Sequence, residues 1–216
     1  MARTEEAKPR AAAARTRRRT AATTRPDARQ RLLELSDALH PGLQRSKALA
    51  ELDRMFVSGA APDPAPEGFL TGRLLATSTW GPWDSVVARL ARAWMPWQGK
   101  SFDQEAGTGL TRFAVLPGVR AGFRILWPRY RPVSDTGDRI EAFEFRTGLG
   151  EGAADPGLKV FKIDYDFEAN PGLLIRRILD ELVQIDDGVY LGKVLLRVRG
   201  TFRPVGFFML ERPPEA

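Results

Sequence analysis

Apolar and polar residues alternate most cleanly at Phe161, Ile163, Tyr165 and Phe167, with Lys162, Asp164 and Asp166 between them. A period of two belongs to a strand with one buried and one wet face. Strand-like runs span 69–76, 97–102, 110–116, 119–127, 139–147, 158–167, 189–198 and 202–211. Eight is a barrel-sized number, and most connections are too short for crossover helices, so the pattern predicts an antiparallel meander. Turn signals at Leu116-Pro117-Gly118-Val119 and Asp186-Asp187-Gly188 fit between such elements.

Helical periods interrupt the meander. Residues 27–61 predict a helical hairpin broken at Pro41-Gly42, with Leu32, Leu35 and Leu39 on its first arm and Leu49, Leu52, Met55 and Phe56 on its second. That apolar stripe either packs across the domain or docks a partner. A proline-rich connector from Pro62 to Gly68 follows. Val86, Val87, Leu90, Ala91 and Trp94 predict a helix over 82–94. Asn170 as N-cap, Pro171 at the first turn and the stripe Leu174, Ile175, Ile178, Leu179, Leu182 and Ile185 predict another over 171–185, with Asp180 and Glu181 on its solvated face. The expected fold is α+β, mainly antiparallel β. It is an eight-stranded barrel or curved sheet over 62–216, with packed helices and a disordered arm at 1–26.

Charge changes the picture only at the N-terminus. The chain carries +6 at pH 7. Residues 1–31 hold ten bases and three acids, which leaves 23 bases and 24 acids for residues 32–216. Any argument from basicity therefore concerns the arm, where Arg15, Arg17, Arg18 and Arg19 offer phosphate contacts but no aromatic stacking platform. The arm supports at most weak, sequence-blind nucleic-acid binding, and a solubilising tail is the plainer reading. Glu5 and Glu6 argue against a transit peptide, and with no apolar run of spanning length a cytoplasmic location is expected.

The chain has no Cys and one His, His40. Thiolate metal sites and multi-histidine centres are excluded within one chain, and His40 before Pro41-Gly42 reads as a helix C-cap. No catalytic residue, metal or cofactor is expected. Asp164 and Asp166 share a strand face but read as solvated rather than as a divalent-metal pair, and Asp180 and Glu181 as solvated rather than as an acid–base pair. The glycine-rich 148–152 lacks a P-loop ending and reads as a hairpin tip.

Trp80, Trp83, Trp94 and Trp97 fall within eighteen residues. They either plug one end of a barrel or line a ligand pocket, with Gln98 or Lys100 as polar anchor. Lys193 interrupts an apolar strand and is expected beside Trp83, Trp94 and Trp97 as the group that orients an acidic or carbonyl ligand. The candidate ligand-binding set is Trp80, Trp83, Trp94, Trp97, Lys100, Tyr165, Tyr190 and Lys193.

The stretches Asp180-Glu181-Leu182-Val183-Gln184-Ile185, Gly188-Val189-Tyr190-Leu191-Gly192-Lys193 and Trp97-Gln98-Gly99-Lys100-Ser101-Phe102 resemble uncharacterised bacterial proteins with lipocalin-like β barrels. The resemblance covers about half the domain and implies a barrel without catalytic residues. The expected function is intracellular binding of a hydrophobic small molecule, lipid-like or acidic, in the barrel interior. The alternatives are a lyase, isomerase or cyclase acting on such a ligand, and a non-enzymatic interaction module.

Overall fold

In a computed structural model, which describes residues 27–37, 43–77 and 96–213, the alternating runs pair into one closed barrel. The chain forms α1 (Ala28–Asp37), α2 (Leu43–Ser58), β1 (Gly68–Thr77), β2 (Trp97–Asp103), β3 (Thr108–Ala114), α3 (Val119–Leu126), β4 (Ser134–Asp135) and β5 (Arg139–Glu151). It continues through β6 (Lys159–Asp164), a 3-10 turn (Ile175–Arg177), β7 (Ile178–Asp186), β8 (Val189–Val198) and β9 (Thr201–Glu211). Neighbouring strands are antiparallel in the order β1-β2-β3-β5-β6-β7-β8-β9, and β9 returns to β1. Eight strands close the wall, and the two-residue β4 flanks β5. Closure leaves no long free edge.

The period of two sorts the side chains into two cores. Inward residues from every wall strand, among them Leu70, Phe102, Phe113, Phe145, Phe161, Tyr165, Leu182, Tyr190 and Phe208, fill the interior. Three inward glycines receive rings from neighbouring strands: a Cβ on Gly72 would lie 2.5 Å from Trp97, on Gly109 2.3 Å from Phe145, and on Gly192 2.2 Å from Phe208. The second core lies outside the wall. Leu32, Leu35, Ala48, Leu52 and Phe56 of α1 and α2 cover Leu75, Val183, Leu191, Phe207 and Met209. The helical pair thus packs its stripe on the barrel, and the i, i+3/i+4 spacing of its leucines explains why.

The structure corrects several expectations. Residues 119–126 are helical rather than extended, because Val119, Phe123 and Trp127 recur every four residues and lie against Phe113 and Phe143 at the barrel end. Residues 178–186 are a strand rather than the end of a helix. Ile178 and Leu182 join the interior core, Asp180 points inward with them to meet Lys100, and Val183 joins the outer core, so both faces are buried and apolar residues fall on each rather than alternating with wet ones. Asp180 and Glu181 are accordingly fully buried rather than solvated. These two exchanges leave the strand number at eight.

Asn170 caps no helix; its Nδ2 donates to the carbonyls of Glu144 and Tyr165 and ties the loop before the 3-10 turn to β5. Residues 148–151 belong to β5 and pair with β6, so the hairpin tip begins at Gly152. The arm, His40, Pro41-Gly42 and the helix expected over 82–94 lie outside the described residues. No helix among the described residues is long and apolar enough to cross a membrane.

Candidate binding site inside the barrel

Four polar side chains converge within the aromatic interior. Register places Lys100 of β2 between Leu70 of β1 and Thr111 of β3. Tyr165 enters just beyond the end of β6, and Asp180 enters from β7. All four are buried. Lys100 Nζ lies 2.9 Å from Asp180 Oδ2 and donates to the hydroxyl of Tyr165. Tyr165 also shares a 3.2 Å hydrogen bond with Thr111 Oγ1 and donates to Asp180 Oδ2 at 3.4 Å.

Rings enclose the ammonium. Lys100 Nζ stands 4.9 Å from the ring centre of Tyr165, 5.3 Å from Phe208, and 5.5 Å from both Trp97 and Phe145. The π faces favour the charged amine, and the carboxylate matches its charge. Burial acts against both ions: it lowers the Lys100 pKa despite the attraction of Asp180, and raises that of Asp180 despite Lys100. Burial and the nearby Asp180 charge raise the Tyr165 hydroxyl well above its ordinary value. The phenol stays protonated and serves as donor.

One atom is left over. Asp180 Oδ1 is buried and has no hydrogen-bond partner among the described residues. A buried carboxylate oxygen without a donor carries a desolvation penalty that a ligand hydroxyl or amide would relieve. The arrangement can therefore accept a hydrogen bond from a guest, while its ammonium is already matched.

Trp97, Lys100, Tyr165 and Tyr190 share this interior, with Trp97 half-buried, stacked edge-on against Phe208 and donating Nε1–H to the Gly99 carbonyl. Gln98 is exposed. Trp80, Trp83 and Trp94 lie outside the described residues. Lys193 does not join the group. It sits on the outer face of β8 with Leu191, under α2, where Nζ binds Asp155 Oδ2 at 2.6 Å and Asp53 Oδ1 at 2.8 Å and faces the Phe56 ring at 4.4 Å. The residue is one position out of phase with the inward Tyr190 and Val194, so the alternation of β8 turns it away from the interior.

Asp164 is exposed, and Asp166 is held by Arg176 at 2.8 Å and Arg197 at 3.3 Å. No cluster suited to a metal ion occurs among the described residues. Sequence reasoning missed Thr111 and misplaced Asp180. The readable signal for Asp180 was its position in the inward series Ile178, Asp180, Leu182, where a carboxylate has no business unless paired.

No family model matches this chain, and no curated protein matches it. Among solved structures, a protein from Thermomonospora curvata is similar at 12% identity over 85% of this chain and 99% of that one, with a TM-score of 0.45. The barrel assignment rests on the chain's own strand pairing.

Proposed function

We propose that this protein binds a hydrophobic small molecule inside its barrel in a lipocalin-like manner. The supporting observation is the buried Oδ1 of Asp180, which has no partner among the described residues, in an interior lined mostly by rings and aliphatic chains. An apolar body would lie against Phe145, Phe161, Phe208 and Tyr190, and a polar end would meet Asp180, Tyr165 and Thr111. Because Lys100 is already paired, a lipid-like guest bearing a hydroxyl or other donor suits the site better than an acid, whose charge would compete with Asp180.

Native mass spectrometry of the full chain purified from its own host tests this reading. A bound apolar molecule is expected, and a bare protein contradicts it.

An acid–base enzyme, such as a lyase, isomerase or cyclase acting on the same guest, is a second reading. It is favoured by burial moving Lys100 and Asp180 toward their neutral forms, a pair between which a proton can pass. Chemical change of the bound molecule on incubation separates it from simple binding. Any nucleic-acid contact is assigned to the arginines of the arm.

A further inference from the structure

Between Glu105 and Asp135 the sequence has no acidic residue and five arginines: Arg112, Arg120, Arg124, Arg129 and Arg131. This is a sharp local excess in residues 32–216, where 23 bases nearly balance 24 acids. Four of these arginines, all but Arg112, are exposed and belong to α3 or the turns after it. Arg120 is engaged by Asp135 through three contacts of 2.8 to 3.1 Å. Among the described residues Arg124 contacts no carboxylate closely, although its charge adds to the Arg120 hydrogen bond in holding the Asp135 carboxyl below its ordinary pKa, and Arg129 is exposed. Arg120, Arg124 and Arg131 line a cleft of about 490 Å³ with Tyr130, Pro128 and one carboxylate, Asp135.

The same segment exposes apolar side chains. Leu116 is 55% exposed, Ile125 79%, Leu126 41% and Val133 62%, and these make four of the seven large hydrophobic residues exposed among the described ones. Their placement follows from the fold. Val119 and Phe123 hold one face of α3 against the barrel end, so Ile125 on the opposite face stands clear of it. Trp127 and Tyr130 are half-buried beside them.

We propose that the face formed by residues 116–133 docks on an anionic lipid bilayer, with Leu116, Ile125, Leu126 and Val133 entering the headgroup boundary and Arg124, Arg129 and Arg131 meeting lipid phosphates. Interleaved guanidinium and aliphatic groups, flanked by an indole and a phenol, match a surface that is anionic outside and apolar a few ångströms below. An acidic protein would satisfy the arginines but would leave the isolated aliphatic tips without a shared apolar layer. This inference concerns the outer surface and stands apart from the cargo assigned to the interior.

The absence of cysteine permits a direct test on the full chain. Ile125→Cys and, as a control, Leu149→Cys are each labelled with a polarity-sensitive fluorophore. They are mixed with vesicles of phosphatidylcholine alone, or with one part phosphatidylglycerol to three of phosphatidylcholine. Emission from position 125 is expected to shift to shorter wavelength only with the anionic vesicles, while the probe at position 149, also exposed but on β5, stays in water. Arg124→Gln with Arg129→Gln weakens vesicle binding by roughly thirtyfold, whereas Arg15, Arg17, Arg18 and Arg19→Gln leaves the position-125 shift in place. No shift at position 125, equal shifts at both positions, or loss of the shift with the arm variant alone overturns the proposal.

Discussion

Lys100 on β2 and Asp180 on β7 meet inside the barrel at 2.9 Å, although their strands are separated by three others along one side of the wall and three along the other. Neither ion touches solvent. Lys100→Met strands the carboxylate and is expected to destabilise the fold by about 3–5 kcal/mol, while adding Asp180→Leu recovers most of that loss. Urea denaturation of the parent, the single and the double variant measures both. A double variant no more stable than the single would mean that the pair is not coupled.

Glu181 supplies a pH dependence. It is buried on the outer face of the wall, accepts from Ala153 N–H at 2.8 Å, and leaves Oε2 without a partner among the described residues. Burial raises its pKa against the opposing pull of that hydrogen bond and of Lys162. With the folded value above the unfolded one, the folded chain holds this proton where the unfolded chain has released it. Its contribution is therefore largest below the ordinary glutamate range and declines as pH rises. Glu181→Gln should match the parent in acid and gain on the order of 1 kcal/mol at neutral pH. Denaturation midpoints across that range check the slope, and an equal effect at all pH values contradicts the assignment.

Phe143 has a φ of 54° within β5 and is packed by Phe113, Phe123, Trp127 and Tyr130. The left-handed backbone follows from a bulge: Ala142 pairs with Thr111 and Phe145 with Gly109, which places two β5 residues opposite one on β3. Alanine at this position loses the ring and keeps the strain, whereas glycine loses the ring and relieves it. Phe143→Ala should cost about 3–5 kcal/mol, and Phe143→Gly about 1 kcal/mol less, the reverse of the usual order in a strand. Thermal midpoints of the two variants decide it.

Lys193 bridges the barrel wall to α2 through Asp53 and to the β5–β6 loop through Asp155. Asp53 is half exposed and rehydrates easily, whereas Asp155 is mostly covered. Lys193→Met is expected to cost about 1–3 kcal/mol and to speed proteolysis in α2, with no change in guest binding. Lost binding with α2 still protected would return Lys193 to the interior site.

The barrel was legible because alternation marks strands with one wet face, and seven of the eight wall strands carry enough of it, or enough flanking turn chemistry, to be located. The eighth, β7, was not. It is covered by the interior on one side and by α1 and α2 on the other, so apolar residues fall on both faces, the alternation is lost, and the residue spacing fits a helix equally well. That ambiguity also hid the site, since Asp180 on a helix faces water and on a strand faces Lys100. Lys193 failed for a related reason: a lysine among apolar neighbours announces burial, but only the phase of the strand tells which side of the wall receives it.

The most direct measurement of the interior site uses the Lys100→Met/Asp180→Leu protein, whose fold should survive. Parent and double variant, each stripped of bound molecules, are equilibrated with an apolar extract of the host and examined by native mass spectrometry. The parent is expected to take up a discrete small molecule and the folded double variant to take up none, because the Asp180 acceptor that holds the guest's polar end is gone. Equal uptake by both proteins, or uptake by neither, would contradict binding at the Lys100–Tyr165–Asp180 cluster.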